Sequence, residues 1–244
     1  MANTFFQFKT FTVHQQFCAM KVSSDSCIFG AAVAEVIAGK ELQATGGITN
    51  YLDIGAGTGL LSLMLAQKTT AFIDAVEIDI AAYEQSSINF EASPFKDKLS
   101  VYNTDILHFN PGKEYDAIIC NPPFFEGDLK SVDEKKNVAK HDTALTLQRL
   151  LKVIDGLLKS DGLFAVLLPY HRIDDFIKQA TDLHFYLIEK IFIRHTSTHS
   201  YFRGILFFSK IKTTSSTKEL VIKNEAGNYT NEFICLLKDY YLYL

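Results

Sequence analysis

The run Asp53-Ile-Gly-Ala-Gly-Thr-Gly59 sets glycines at 55, 57 and 59 behind an acid. Glycines so spaced let a backbone turn tightly and approach a ligand where a side chain would collide. Two ligands use this device between a strand and a helix, dinucleotides and S-adenosylmethionine. The dinucleotide spacing GxGxxG, counted from Gly55, needs a glycine at position 60, but Leu60 stands there and the glycine falls at 59. Glu77, in Ala-Val-Glu-Ile-Asp79, can accept both hydroxyls of a ribose, and its charge would repel a 2′-phosphate, which disfavours NADP. Asp79 is either a second contact or the N-cap of the next helix. Asp105, in Tyr-Asn-Thr-Asp-Ile106, can accept the exocyclic amine of an adenine, or is simply a turn aspartate.

Asn121-Pro122-Pro123-Phe124 is the most specific constellation. An aromatic or amide amine has its lone pair delocalised and is a poor nucleophile. The Asn121 side-chain oxygen and the Pro122 carbonyl can each accept one of its N–H groups, leaving the lone pair aimed at an electrophilic carbon. Proline has a fixed φ and no N–H, so the carbonyls of this loop are rigidly directed. Phe124 offers a face on which a flipped base can stack. No strong base is required, because the nitrogen becomes acidic once alkylated.

With these residues in view, the glycine loop resembles motif I of class I S-adenosylmethionine-dependent methyltransferases. Asn121–Phe124 resembles the Asn/Asp-Pro-Pro-aromatic motif of enzymes that methylate adenine, guanine or glutamine amide. Three further segments narrow the likeness: Phe8-Lys-Thr-Phe-Thr-Val-His-Gln15, Cys18-Ala-Met-Lys-Val-Ser-Ser-Asp25, and the continuation to Phe125-Glu-Gly-Asp128 with Asn137-Val-Ala-Lys-His141. They are similar to the bacterial tRNA1(Val) adenine-N6 methyltransferases, which modify the adenosine 3′ of the anticodon, from about residue 5 to about residue 210.

The resemblance implies an α/β, Rossmann-like class I fold with a seven-stranded, mostly parallel sheet and an antiparallel C-terminal hairpin. It implies S-adenosyl-L-methionine as cofactor and tRNA as substrate. Asn121, Pro122 and Phe124 become the catalytic residues. Lys21, Asp25, Asp53, Gly55, Gly57, Gly59, Glu77, Ile78, Asp105 and Ile106 become the cofactor-binding set. Ser23-Ser24-Asp25-Ser26 departs from the family's more usual Gly-Thr-Asp-Gly and loses two flexible positions beside the pocket.

The elements that must position these groups are legible as apolar runs of strand length alternating with helical segments. Strands are expected over 48–54, 72–78, 99–103, 115–120 and 163–168, with helices over 60–67, 81–91 and 145–159. Asp161-Gly162 reads as a helix-ending turn. A short helix over 174–180 precedes two β-rich runs, 185–194 and 202–210, joined by a short loop and therefore antiparallel neighbours. Residues 212–218 read as an exposed loop and 231–244 as a closing helix. Residues 1–45 form an N-terminal extension packed on the core and 211–244 a C-terminal appendage, all within one domain.

The chain of 244 residues carries a net charge of −4, unevenly spread. Residues 1–70 hold four basic and four acidic groups, residues 71–128 three and eleven, and residues 129–244 seventeen and thirteen. A polyanion is repelled by the middle and attracted by the last part. Lys135, Lys136, Lys140, His141, Arg194 and Arg203 are therefore expected to meet RNA; His141 is a substrate-side contact rather than a needed base. No apolar run is long enough for a membrane helix, and the start lacks a secretory pattern. Cysteines at 18, 27, 120 and 235 form no CxxC pair, which argues against a zinc or disulfide framework and suits a reducing cytoplasm; no metal is expected, and a monomer is the expected state. Two rival readings share these features, a release-factor glutamine N5-methyltransferase and a non-catalytic RNA-binding module that keeps the pocket. The first normally carries a separate N-terminal helical domain, for which 45 residues leave little room.

Overall fold

A computed structural model describes residues 3–41, 49–122 and 145–244. Two short antiparallel strands, β1 (Phe5–Gln7) and β2 (Thr12–His14), lead into helix α1 (Ser24–Glu41). Then follow β3 (Asn50–Ile54), α2 (Leu60–Ala66), β4 (Phe72–Glu77), α3 (Ile80–Glu91), β5 (Leu99–Asn103) and β6 (Tyr115–Cys120). The second half runs through α4 (Leu147–Leu157), β7 (Leu158–Pro169), α5 (Ile173–Asp182), β8 (Tyr186–Arg194), β9 (Arg203–Ser209), β10 (Ser216–Val221) and α6 (Asn231–Leu237).

The main sheet has eight strands in the order β10-β8-β9-β7-β6-β3-β4-β5. Every pairing is parallel except the two made by β9, which lies antiparallel between β7 and β8. The expected antiparallel hairpin is thus present, but the strand count rises from seven to eight. The extra strand is β10, half of which falls in the stretch expected as a loop. Its first four residues are exposed, so its sequence, Ser-Thr-Lys-Glu-Leu-Val, shows none of the apolar alternation that marks an inner strand.

Alternation across the inner strands builds two core layers. Leu163, Ala165 and Leu167 of β7, with Ile205 and Phe207 of β9, face α1, α2, α6 and the N-terminal aromatics Phe8 and Phe11. Phe164, Val166, Leu168, Leu206 and Phe208 point the other way, onto Leu150, Leu151 and Ile154 of α4 and Phe176 of α5. The Phe164 and Phe208 rings stack 4.8 Å apart.

Asp161-Gly162 does not end α4. The helix passes into β7 at Leu158, and the Asp-Gly pair lies within the strand, where the register to β6 shifts between Tyr115 and Ala117. An irregularity absorbs the same backbone freedom a turn would use. Helix α1 was not legible as a helix. Residues 27–34 are buried without interruption, so no polar face shows a 3.6-residue period. Among the described residues no helix is long and apolar enough to cross a membrane.

Candidate active site

The carboxyl ends of the parallel strands bring the chemistry-bearing residues together. The loop after β3 carries Gly55, Gly57 and Gly59 at φ of 75°, 55° and 79°, the left-handed region that side chains avoid. A Cβ on Gly59 would lie 2.5 Å from the Phe90 ring of α3, so close packing as well as φ demands glycine there. At Gly55 and Gly57 a Cβ would meet nothing within 4 Å, so the face of that loop opens onto space.

Glu77, the last residue of β4, accepts the Gly57 N–H at 2.8 Å on one oxygen and the Asp79 N–H at 2.9 Å on the other. Asp79 is the N-cap of α3, accepting the Ala82 N–H at 2.8 Å. Asn103, at the end of β5, donates to the Glu77 and Ile78 carbonyls at 2.9 and 3.2 Å and braces that strand tip. Asp105 accepts the Leu107 N–H at 2.9 Å and starts a single 3-10 turn. Ile78 stands exposed beside this row, whereas Ile106 is buried.

Asp53 is fully buried. One carboxylate oxygen accepts the Ser62 hydroxyl at 2.7 Å and the Ser62 N–H at 3.2 Å. The other has no hydrogen-bond partner among the described residues. Burial pushes its pKa up to about 7, Ser62 opposes the shift, and the Glu77 charge adds to it.

Asn121 follows β6 directly. Its Nδ2 donates to the Ser26 hydroxyl at 3.3 Å, while its buried Oδ1 has no partner among the described residues. Pro122 is described; Phe124, Lys135, Lys136, Lys140 and His141 lie outside the described residues.

The N-terminal arm closes over the glycine loop. Asn89 of α3, fully buried, accepts the His14 N–H at 2.9 Å and donates to the His14 and Thr58 carbonyls, each at 2.8 Å. It ties the arm to the loop through one amide. Gln85 accepts the Phe17 N–H at 3.3 Å, and Lys21 donates to the Gln15 carbonyl. The Cys18 thiol is pushed up to about 11 by burial, with the Glu77 charge adding to the shift, so the arm passes on the Glu77 side.

Arg194 and Arg203 also stand at this edge, and both guanidinium groups are engaged. Arg194 donates to Glu219 and the Ser197 carbonyl, and Arg203 donates from Nε to Asp25 at 2.9 Å. Asp25, expected to face the cofactor, accepts from Arg203, Ser23 and the Ser26 N–H. The sequence gives no sign of the pairing between Asp25 and Arg203, which are 178 residues apart.

A family described as methyltransferase small domain matches residues 33–168, more than half of the chain. A relative from Flavobacterium psychrophilum named tRNA1(Val) (adenine(37)-N6)-methyltransferase is 38% identical over 97% of this chain and 99% of its own. One of the same name from Dyadobacter fermentans is 40% identical, covering 98% of each chain. The chain belongs to the tRNA1(Val) (adenine(37)-N6)-methyltransferase family. Among solved structures, an O-methyltransferase predicted in Agrobacterium tumefaciens superposes with a TM-score of 0.65 at 14% identity, over 87% of this chain and 95% of its own. A glycopeptide N-methyltransferase complexed with S-adenosyl-L-methionine gives 0.51 at 11% identity, over 74% and 93%. These likenesses show the fold shared across methyltransferases.

For a member of the tRNA1(Val) methyltransferase family, the donor is S-adenosylmethionine, and this chain's residues fit it. The open face at Gly55 and Gly57 leaves room for a ligand against bare backbone. The Asp53 oxygen that has no partner among the described residues is an acceptor suited to an ammonium group. Glu77 retains lone pairs for hydroxyls beyond the two N–H groups it already accepts.

Proposed function

We propose that this protein transfers a methyl group from S-adenosyl-L-methionine to N6 of an adenosine in tRNA, the one 3′ of the anticodon of tRNA1(Val). The observation that carries this reading is Asn121, held at the tip of β6 with its amide nitrogen occupied and its buried Oδ1 without a partner among the described residues. An amide oxygen so placed accepts one N–H of a planar amine, and the rigid Pro122 carbonyl accepts the other. When bound, S-adenosylmethionine supplies a methyl group on a positively charged sulfur. The chain's work is then to hold the amine in line and to keep water away.

Glu77 is read as the ribose acceptor, Asp105 as the adenine acceptor with Ile78 and Ile106 beside it, and Asp53 as the acid facing the methionine end. Phe124 is read as the stacking face for the target base. Lys135, Lys136, Lys140 and His141 follow the catalytic strand tip closely in sequence and are read as the approach for phosphates, with Arg194 at the rim. A sulfonium is already an electrophile, so the reaction asks for no metal. The protein is read as a monomer working in the cytoplasm with its tRNA.

Incubation with labelled S-adenosylmethionine and either total tRNA or a release factor tests this reading. N6-methyladenosine in digested tRNA supports it. Label in the release factor would instead identify a glutamine methyltransferase, and label in neither a non-catalytic module.

A further inference from the structure

Asn121 can serve an incoming amine only if its amide is turned with the oxygen toward the substrate, since the flipped amide would present a donor to a donor. The chain contains a set of side chains that fixes this choice. The Asp25 carboxylate has no proton to give, so the Ser23 hydroxyl must spend its single proton on Asp25. Ser23 and Ser26 hydroxyl oxygens lie 2.9 Å apart. With the Ser23 proton committed, Ser26 is the donor in that contact. Ser26 then has no proton left, and toward Asn121 it can only accept. Its neighbour at 3.3 Å must be the NH2 end of the amide. Arg203 anchors the far end, donating from Nε to the other Asp25 oxygen at 2.9 Å.

Resting on the methyltransferase reading above, we propose that the Asp25 carboxylate, anchored by Arg203, and the hydroxyls of Ser23 and Ser26 form a relay in which every hydrogen bond from Asn121 to Asp25 is donated in the same direction, so that the Asn121 amide is oriented for the substrate amine. Ser26 is its last member and a positioning residue. The relay gives Asp25 and Arg203 a task other than direct contact with cofactor or RNA. Hydrogen bonds linked in one direction polarise one another, which further disfavours the flipped amide.

The test uses the full chain with tRNA and S-adenosylmethionine. Ser26→Ala is expected to lower kcat about 5–10-fold, the loss of one hydrogen bond. The tRNA KM and the S-adenosylmethionine Kd should stay within about twofold, because the change touches neither binding face. In an Asn121→Ala background the same substitution should cost nothing further, since the group it orients is gone. Ser23→Ala, one link away, should produce a smaller kcat loss with the same pattern. Independently of turnover, one side-chain NH2 proton of Asn121, assigned by its loss in Asn121→Ala, should exchange slowly with solvent in the wild type and faster in Ser26→Ala. Unchanged kcat, an equal loss in the Asn121→Ala background, or identical exchange would overturn the relay. Absence of N6-methyladenosine with the wild type would sink the functional reading instead, while the exchange experiment would still judge the relay.

Discussion

The N–H of Gly57 donates to the Glu77 carboxylate at 2.8 Å, so the acid offered to a ribose also supports the glycine loop. Glu77→Ala should therefore weaken S-adenosylmethionine binding by more than the lost hydroxyl contacts alone. Charge-assisted hydrogen bonds set a floor of about 1.5–3 kcal/mol. Isothermal calorimetry gives the value, and an affinity within threefold of wild type would remove Glu77 from the site.

Asn121→Ala separates chemistry from binding. S-adenosylmethionine affinity should remain within a few fold while turnover falls by about 10²-fold, the usual effect of deleting one preorganised acceptor. Single-turnover kinetics on tRNA decides it. A fall of less than fivefold would show that the amine is held by other groups.

Asp53 gives the site a pH dependence. Its folded pKa, about 7, lies above its ordinary value, so the ligand-free protein holds a proton there that the unfolded chain releases. That contribution to stability is full below the unfolded pKa and is lost as pH rises through about 7. A cationic ammonium beside the carboxylate favours the ionised form, so cofactor binding should release a proton and tighten as pH rises through the same window. Calorimetry in buffers of different ionisation enthalpy counts the proton. Asp53→Asn should abolish both the release and the pH dependence.

Asn89 is buried with three partners on two segments, so Asn89→Ala removes the link between the N-terminal arm and the glycine loop. Unpairing these backbone groups should cost about 2–4 kcal/mol of stability and loosen cofactor binding together. Denaturant unfolding with and without S-adenosylmethionine distinguishes this from a purely structural loss, which would leave affinity in the folded state unchanged.

Lys135, Lys136 and Lys140 carry the expectation for RNA. Neutralising all three should lower the salt slope of tRNA binding by about two units, at roughly 0.7–0.9 per phosphate contact, without altering S-adenosylmethionine affinity. A triple variant with the wild-type slope would place the tRNA elsewhere on the surface.

The inner parallel strands and the residues at their tips were legible because buried strands read as apolar runs, and motifs fall where those runs stop. Glu77, Asp105 and Asn121 stood out for that reason. Helix α1 did not, since it is buried on every side over residues 27–34. Strand β10 did not, since it is a mostly exposed edge. Asp161-Gly162 was misleading because one dipeptide serves both a turn and a strand irregularity. The ties of Asp25 to Arg203 and of Ser26 to Asn121 were invisible, because each joins residues far apart in sequence, and only the closed fold supplies that distance.

The N-terminal arm also has a partner near the other end of the numbering. Phe8 bridges to Tyr241, and the Lys9 N–H donates to the Tyr240 carbonyl at 2.8 Å. During synthesis the arm emerges first, but this part of the surface it docks on is made more than two hundred residues later. Until then the arm has only its ties to Gln85 and Asn89 of α3 to hold it. Long-range contacts of this kind form late. A nascent chain would thus complete the docking of this arm only after translation has passed Tyr241.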